Sequence, residues 1–244
     1  MKWVEQLREE LNGLNPHVVV TCGATATAAL TGISKILKYR GYFYESQGLT
    51  RSLKVLPTIH PSAALRGMYI YRYLIAADLR KAAENSESPE LVRPERQLAF
   101  GFDRVEEVLE WCDYFAKQPR LCFDIEVLNY ELACIGFSSS PEVACSIPLD
   151  ERWTLDEEVA IWRGLQSVLN APSIKIAQNG LFDTNFLLTR CGIKVEGVLE
   201  DTMVAHSVMY PELPKGLGFL GSMYCGTQAY WKDAVKFNSI KAED

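Results

Sequence analysis

Apolar and polar positions change their period several times along the chain, and each change marks an element. "MKWVEQLREEL" repeats its apolar residues at helical spacing and reads as an amphipathic helix. "HVVVTCG" is a β-branched strand passing into the small-residue helix "ATATAALTG", "LKVLPTIHP" is a second strand, and "YIYRYLIAADLRKAA" is a closing helix. The stretch "AAENSESPELVRPERQ" then loses periodicity and holds two prolines, which marks a linker. Beyond it, Asp103 and Glu106 have the spacing of a capping box ahead of the helix "RVEEVLEWCDYFAK". Three apolar runs, "RLCFDIE", "LACIGFSS" and "VACSIPL", are joined by short polar turns and predict an antiparallel meander. A second capping box, Thr154 with Glu157, opens the helix "LDEEVAIWRGLQSVL". Strand "SIKIA", helix "LFDTNFLLTR" stopped by Gly192, strand "VEGVLE" and helix "TMVAHSVMY" stopped by Pro211 complete the series. The fold class is therefore α/β: a mixed five-strand sheet with flanking helices, preceded by a smaller α/β region.

Composition narrows this picture without changing it. Hydrophobic residues at 48% and charged residues at 23% suit a soluble globular chain of 244 residues. No apolar run approaches the ~18 residues of a membrane span, and the acidic amphipathic start does not resemble a signal peptide. A cytoplasmic protein without a membrane partner is expected. The seven cysteines include no C-x-x-C pair and are expected to be reduced core residues. Charge is uneven: residues 1–83 carry eleven Lys/Arg against five Asp/Glu, a net +6, while residues 101–244 carry twelve against twenty-two, a net −10. The first region can meet an anionic surface by its field, or the charge merely drifts along the chain. The second can hold nucleic acid only through local basic side chains or bound cations.

The chemistry concentrates in "LCFDIEVLNY". Asp124 and Glu126 stand two apart on a strand, so both carboxylates point to one face and repel. Downstream, "QNGLFDTNFL" supplies Asp183 in the first turns of a helix, and "LEDTM" supplies Asp201. Hard divalent cations take oxygen ligands of this kind, and two such ions can stabilise both oxygens of a phosphodiester hydrolysis. Each acid also has a plainer reading. The D-x-E pair can be a half-exposed edge pair, Asp201 the N-cap of the next helix, and His206 a core histidine.

In order, "FDIE", "NGLFD" and "EDTMVAHSVMYPELPKGLGFL" resemble the first two motifs, and the segment that follows them, of DnaQ-like 3′-5′ exonucleases. The likeness is to the proofreading domain of family A DNA polymerases, on the ribonuclease H-like fold, and covers residues 100–244. It implies a two-metal Mg²⁺ or Mn²⁺ site on Asp124, Glu126 and Asp183. It also implies contacts of Asn179 and Phe182 to a single-stranded DNA 3′ end, and a polymerase domain as companion. Asp201 matches a position that is not usually a metal ligand in that family. Two departures stand out: Val127 replaces the hydroxyl residue common after D-x-E, and the Y-x-x-x-D of the third motif is missing, because Tyr224 is followed at that spacing by Gln228 and Tyr230 by Ala234. An impaired exonuclease is expected.

"VVVTCGATATAAL", "YRGYFYES" and "LPTIHPSAALRG" resemble the later part of family 4 type uracil-DNA glycosylases, over residues 1–83. His60, Pro61, Ser62 and Arg66 carry the match, and in that family the HPS-type loop lies beside a flipped base. The plainer reading of "HPS" is a strand-to-helix turn with Pro at N1. The glycosylase's water-activating segment is not found ahead of the first strand, and Cys22 alone cannot hold an iron–sulfur cluster. The expected organisation is a partial glycosylase-like domain at 1–83, a linker at 84–99 and an exonuclease domain at 100–244, cut at both ends. A non-catalytic DNA-binding or scaffold fragment is the alternative of a different class, and uracil-DNA recognition by the first domain is a third reading.

Overall fold

The computed structural model describes residues 2–14, 16–92 and 95–225. Two compact units divide the chain: Met1–Arg93 with the segment from Pro214 onward, and Pro94–Leu213. In the first unit α1 (Lys2–Gly13) precedes β1 (Val18–Cys22), α2 (Ala24–Thr31), α3 (Ile36–Tyr39), β2 (Tyr44–Glu45), β3 (Lys54–Thr58), α4 (Pro61–Leu65) and α5 (Tyr71–Glu84). The sheet order is β1-β3-β2, with β3 parallel to β1 and antiparallel to β2. All five residues of β3 are buried, the polar Lys54 and Thr58 at its ends included, as in a strand covered on both faces. The two-residue β2 is too short to leave a periodic signal, so the pattern announces only its two neighbours.

In the second unit the elements are β4 (Gln97–Ala99), α6 (Val105–Ala116), β5 (Arg120–Leu128), β6 (Glu131–Ser138), β7 (Val143–Pro148), α7 (Leu155–Asn170), β8 (Ile174–Ala177), α8 (Leu181–Cys191), β9 (Leu199–Asp201) and α9 (Thr202–Met209). Their sheet runs β4-β7-β6-β5-β8-β9. The predicted meander β5-β6-β7 is antiparallel, and β8 and β9 continue the sheet in parallel on the other side of β5. The sheet is mixed, as expected, but has six strands rather than five. The extra strand, β4, pairs Gln97–Ala99 parallel to Val143–Cys145 at the edge, within the stretch expected to be linker. Three residues beside a single neighbour need no hydrophobic alternation, which is why the pattern missed it.

The capping box at Thr154 and Glu157 forms in full. The one at Asp103 and Glu106 does not: Arg104 is the N-cap of α6, extended at φ −131° and ψ 132°, with no side-chain cap bond. An extended Arg104 cannot be the first helical residue, so Asp103 falls one place too early. The cysteines are also more varied than expected. Cys112 and Cys145 are buried, whereas Cys22, Cys122 and Cys225 are exposed. Cys122 lies on the outward-facing side of β5, where alternation sends every second residue. Among the described residues no helix is long and apolar enough to cross a membrane.

The final helix, α10 (Leu217–Tyr224), belongs to the first unit. It covers a buried polar network. Arg40 and Asp78 are 1% and 0% exposed and form a bidentate ion pair, Nε to Oδ2 at 2.9 Å and Nη2 to Oδ1. Thr58 Oγ1 donates to the same carboxylate at 2.7 Å, and Arg40 Nη1 donates to Ser222 Oγ at 3.2 Å. Lys81 Nζ donates to the carbonyls of Gly41 at 2.9 Å and Ser222 at 2.5 Å. Gly41 makes this approach possible: its φ is +77°, and a Cβ there would stand 2.6 Å from the Ser222 carbonyl.

Candidate active site

Chain direction puts the acids at one place in the second unit. From β5 the sheet grows one way through β6 and β7 and the other way through β8 and β9, so the topology switches between β5 and β8. Open α/β sheets bind ligands at such a point, outside the carboxyl ends of parallel strands. β8 pairs with β5 only as far as Cys122 opposite Ile176 and ends at Ala177. Past that point β5 carries Asp124, Ile125 and Glu126, and the chain leaving β8 carries Asn179 and then α8.

β5 alternates cleanly here: Leu121, Phe123 and Ile125 are buried, while Asp124 and Glu126 are exposed on the opposite face. The register with β6 shifts between Glu126 and Val127, an irregularity of the kind that re-aims side chains beside functional sites. Asp183, the third residue of α8, is 4% exposed. Its Oδ1 accepts from the Ile125 backbone amide at 3.1 Å. The carboxylate therefore sits at the peptide that joins Asp124 to Ile125, despite the 58 residues between donor and acceptor. Burial pushes the Asp183 carboxyl above its ordinary range. The amides of Ile125 and of Asp183 itself pull it back, and the charges of Asp201 and Glu126 push it further up.

Asp201 is the N-cap of α9, and it does more than cap. Its Oδ1 accepts from Met203 N at 2.8 Å, Val204 N at 3.2 Å and Asn179 N at 3.2 Å, while Oδ2 accepts from Gly180 N at 2.8 Å. Burial works against its charge, but these four amides outweigh that and hold the carboxyl below the usual range. Sequence reasoning found the cap and missed the second pair of amides. Spacing along α9 signals only Met203 and Val204; nothing local points 21 residues back to Gly180.

Other predicted residues are placed as follows. Asn179 is exposed and left-handed at φ +60°, and Phe182 is 54% exposed with its ring 6.1 Å from that of Phe186. His206 is 1% exposed, in line with a core histidine. In the first unit, His60 is the N-cap of α4: its Nδ1 accepts from the Ser62 amide at 3.1 Å and pairs with Ser62 Oγ at 2.8 Å. Pro61 follows at N1, and Arg66 closes the helix in an exposed position.

The donor set of Asp124, Glu126 and Asp183 suits a hard divalent cation in its chemistry. It is oxygen-only, and it includes a buried acid whose charged form is opposed by desolvation and like charge, which a cation would relieve. Among the described residues, however, no group of three or more His, Cys, Asp or Glu is gathered into a ready metal cage.

Residues 101–239 match the 3′-5′ exonuclease family of the DNA polymerase A type. A DNA polymerase of Bacillus phage SP01 is 25% identical over 236 residues, covering 82% of this chain and 25% of the polymerase. The chain thus spans a quarter of that relative's length. Among solved structures, RNase D of Trypanosoma brucei aligns at a TM-score of 0.46 and 18% identity, covering 61% of this chain and 53% of that one. RNase D of Escherichia coli aligns at 0.40 and 19% identity, covering 55% and 34%.

Proposed function

Because the chain belongs to the 3′-5′ exonuclease family, we propose that its second unit removes nucleotides from single-stranded DNA 3′ ends in a polymerase context, through divalent ions held by Asp124, Glu126 and Asp183. The observation that carries this reading is the Asp183 carboxylate resting on the Ile125 amide, between the two acids of β5. When bound, Mg²⁺ or Mn²⁺ would polarise the terminal phosphodiester and lower the pKa of the attacking water. Asp183 is fixed by burial and by its amide bond. Asp124 and Glu126 lie on the exposed face of β5, on either side of the residue whose amide holds Asp183. The exposed ring of Phe182 offers a face for stacking the last base, and Asn179 an amide group for the sugar or phosphate.

Turnover is expected to be slow, and faster with Mn²⁺ than with Mg²⁺. Val127 brings no hydroxyl after the two acids of β5, and Mg²⁺ tolerates imperfect geometry more poorly than Mn²⁺. The test is a 5′-labelled single-stranded DNA oligonucleotide, with an RNA of the same sequence beside it, in Mn²⁺, Mg²⁺ and chelator. Stepwise shortening of the DNA from its 3′ end, lost in Asp183→Asn and in chelator, is expected. Equal rates for the wild type, Asp124→Ala and Asp183→Asn would leave the scaffold reading in its place; faster shortening of the RNA would reassign the substrate.

For the first unit the reading is uracil-DNA recognition without excision, on His60, Ser62 and Arg66. His60 already spends Nδ1 on its own helix cap, which takes that nitrogen out of acid–base work on a leaving base. Withdrawing one acid–base group removes roughly 10²- to 10⁴-fold of catalysis. Uracil release from single-stranded DNA that disappears in His60→Ala would overturn this.

A further inference from the structure

Asp201 lies at the end of β9, yet both of its oxygens reach back to the turn that launches α8. Thr202 adds to the same grip: the single proton of its Oγ1 is shared between the Ala177 carbonyl at 3.1 Å and Gln178 Oε1 at 2.5 Å. Four consecutive residues, 177–180, are therefore held from one dipeptide. The turn has no slack: Asn179 is left-handed at φ +60°, and a Cβ on Gly180 would stand 2.6 Å from the Ala177 Cβ. Gly180 is also the N-cap of α8 and offers no side-chain cap of its own. Three residues on, Asp183 meets Ile125. A rigid first turn transmits the orientation of residue 180 to residue 183, so whatever fixes the turn fixes the acid.

We propose that Asp201 is a positioning residue for the acid site: its carboxylate bridges the entry turns of α8 and α9 and thereby sets Asp183 against the Ile125 amide. This role goes beyond capping. An N-cap needs one oxygen facing one helix; here two oxygens serve two helix starts, and only the α8 pair bears on the site. The proposal rests on the nuclease reading for its effect on turnover, but not for its effect on geometry.

That separation sets the experiment. Asp201→Ser keeps an N-cap oxygen for α9 but is too short and has too few acceptors to hold residues 179 and 180. Asp201→Asn keeps the shape and turns one acceptor into a donor facing an amide. Backbone hydrogen exchange is followed at residues 179, 180, 125 and 204 in both variants. Turnover of a single-stranded DNA oligonucleotide with Mn²⁺ is measured alongside, with Asp183→Asn as the control. In Asp201→Ser, residue 204 should keep its protection while residues 179, 180 and 125 exchange at least about tenfold faster. The rate constant kcat should fall roughly 10- to 100-fold, as for other groups that orient a metal ligand, with KM within about twofold.

Release of residues 179 and 180 with Ile125 still protected would overturn the proposal, since the turn would then not govern Asp183. Loss of native near-ultraviolet dichroism in both variants would overturn it too, by making Asp201 a residue of the fold at large. Full turnover in Asp183→Asn would count against the nuclease reading alone, and the exchange at Ile125 would still decide the role of Asp201.

Discussion

Asp78 and Asp183 are each buried on a helix and each bonded to a strand, Asp78 to Thr58 of β3 and Asp183 to Ile125 of β5. Their surroundings differ in one respect. Asp78 faces the Arg40 guanidinium in a bidentate pair, so the first unit supplies its own counter-charge. Asp183 is in none of the ion pairs among the described residues, and the charges that reach it, from Asp201 and Glu126, have its own sign. Burying an acid is costly in either setting; pairing makes the first a piece of architecture, while the second keeps a charge that its surroundings oppose, which is what the proposed cation would relieve.

Breaking the pair in the first unit should have the largest effect. Asp78→Ala leaves Arg40 buried with no carboxylate, and the expected loss is about 3–5 kcal/mol, read by urea or thermal unfolding. A loss under about 1 kcal/mol would show that the pair is not what distinguishes the two acids.

Asp183→Asn should act in the opposite sense on stability while removing function. Nuclease turnover is expected to drop about 10³-fold, or ~4 kcal/mol in the barrier. The second unit should nevertheless unfold at a higher denaturant concentration, because a like-charged buried acid has become neutral. The pH dependence has a definite sign. The folded-state pKa of Asp183 is raised, so the stability linked to its proton is present below the unfolded value near ~3.9 and is lost as pH rises through the folded value. Wild type and Asp183→Asn should therefore converge near pH 4 and separate toward pH 7. A variant less stable than wild type at pH 7 breaks the comparison.

Added Mn²⁺ should stabilise the wild type by up to about 2.7 kcal/mol at a hundredfold excess over its Kd, and leave Asp183→Asn and the unfolding of the first unit unmoved. The smallest effect concerns Lys81, whose pKa burial lowers to about 8. Above that pH the folded state binds fewer protons than the unfolded one, so stability should rise with pH between about 8 and 10.4, by less than about 1 kcal/mol after solvent screening. Lys81→Met should flatten that slope.

The meander, both parallel strands and the acids of β5 and α8 were legible in the sequence because each leaves a local mark: a period, a cap, a charge where an apolar residue belongs. The remainder depended on partners far along the chain. β4 exists only because Val143–Cys145 lies beside it. The capping box at Asp103 failed because Arg104 is extended, which spacing cannot reveal. The second pair of amides at Asp201, and the return of α10 to Arg40 and Lys81, are contacts across 21 to 182 residues. At the site, the order of the motifs singled out Asp124, Glu126 and Asp183, and the fold places Asp183 on the Ile125 amide between the other two. Which of them is buried, and by what amide it is held, needed the fold.

The placement of α10 also sets a schedule. A ribosome adds roughly 5 to 20 residues per second, so residue 222 follows residue 93 by about 6 to 26 s. Through that interval Arg40 has Asp78 but not Ser222, and Lys81 lacks its shortest bond. Of the two units, the one that leads in this sequence thus gains its last partners after the other has been made, when Ser222 reaches Arg40 and Lys81.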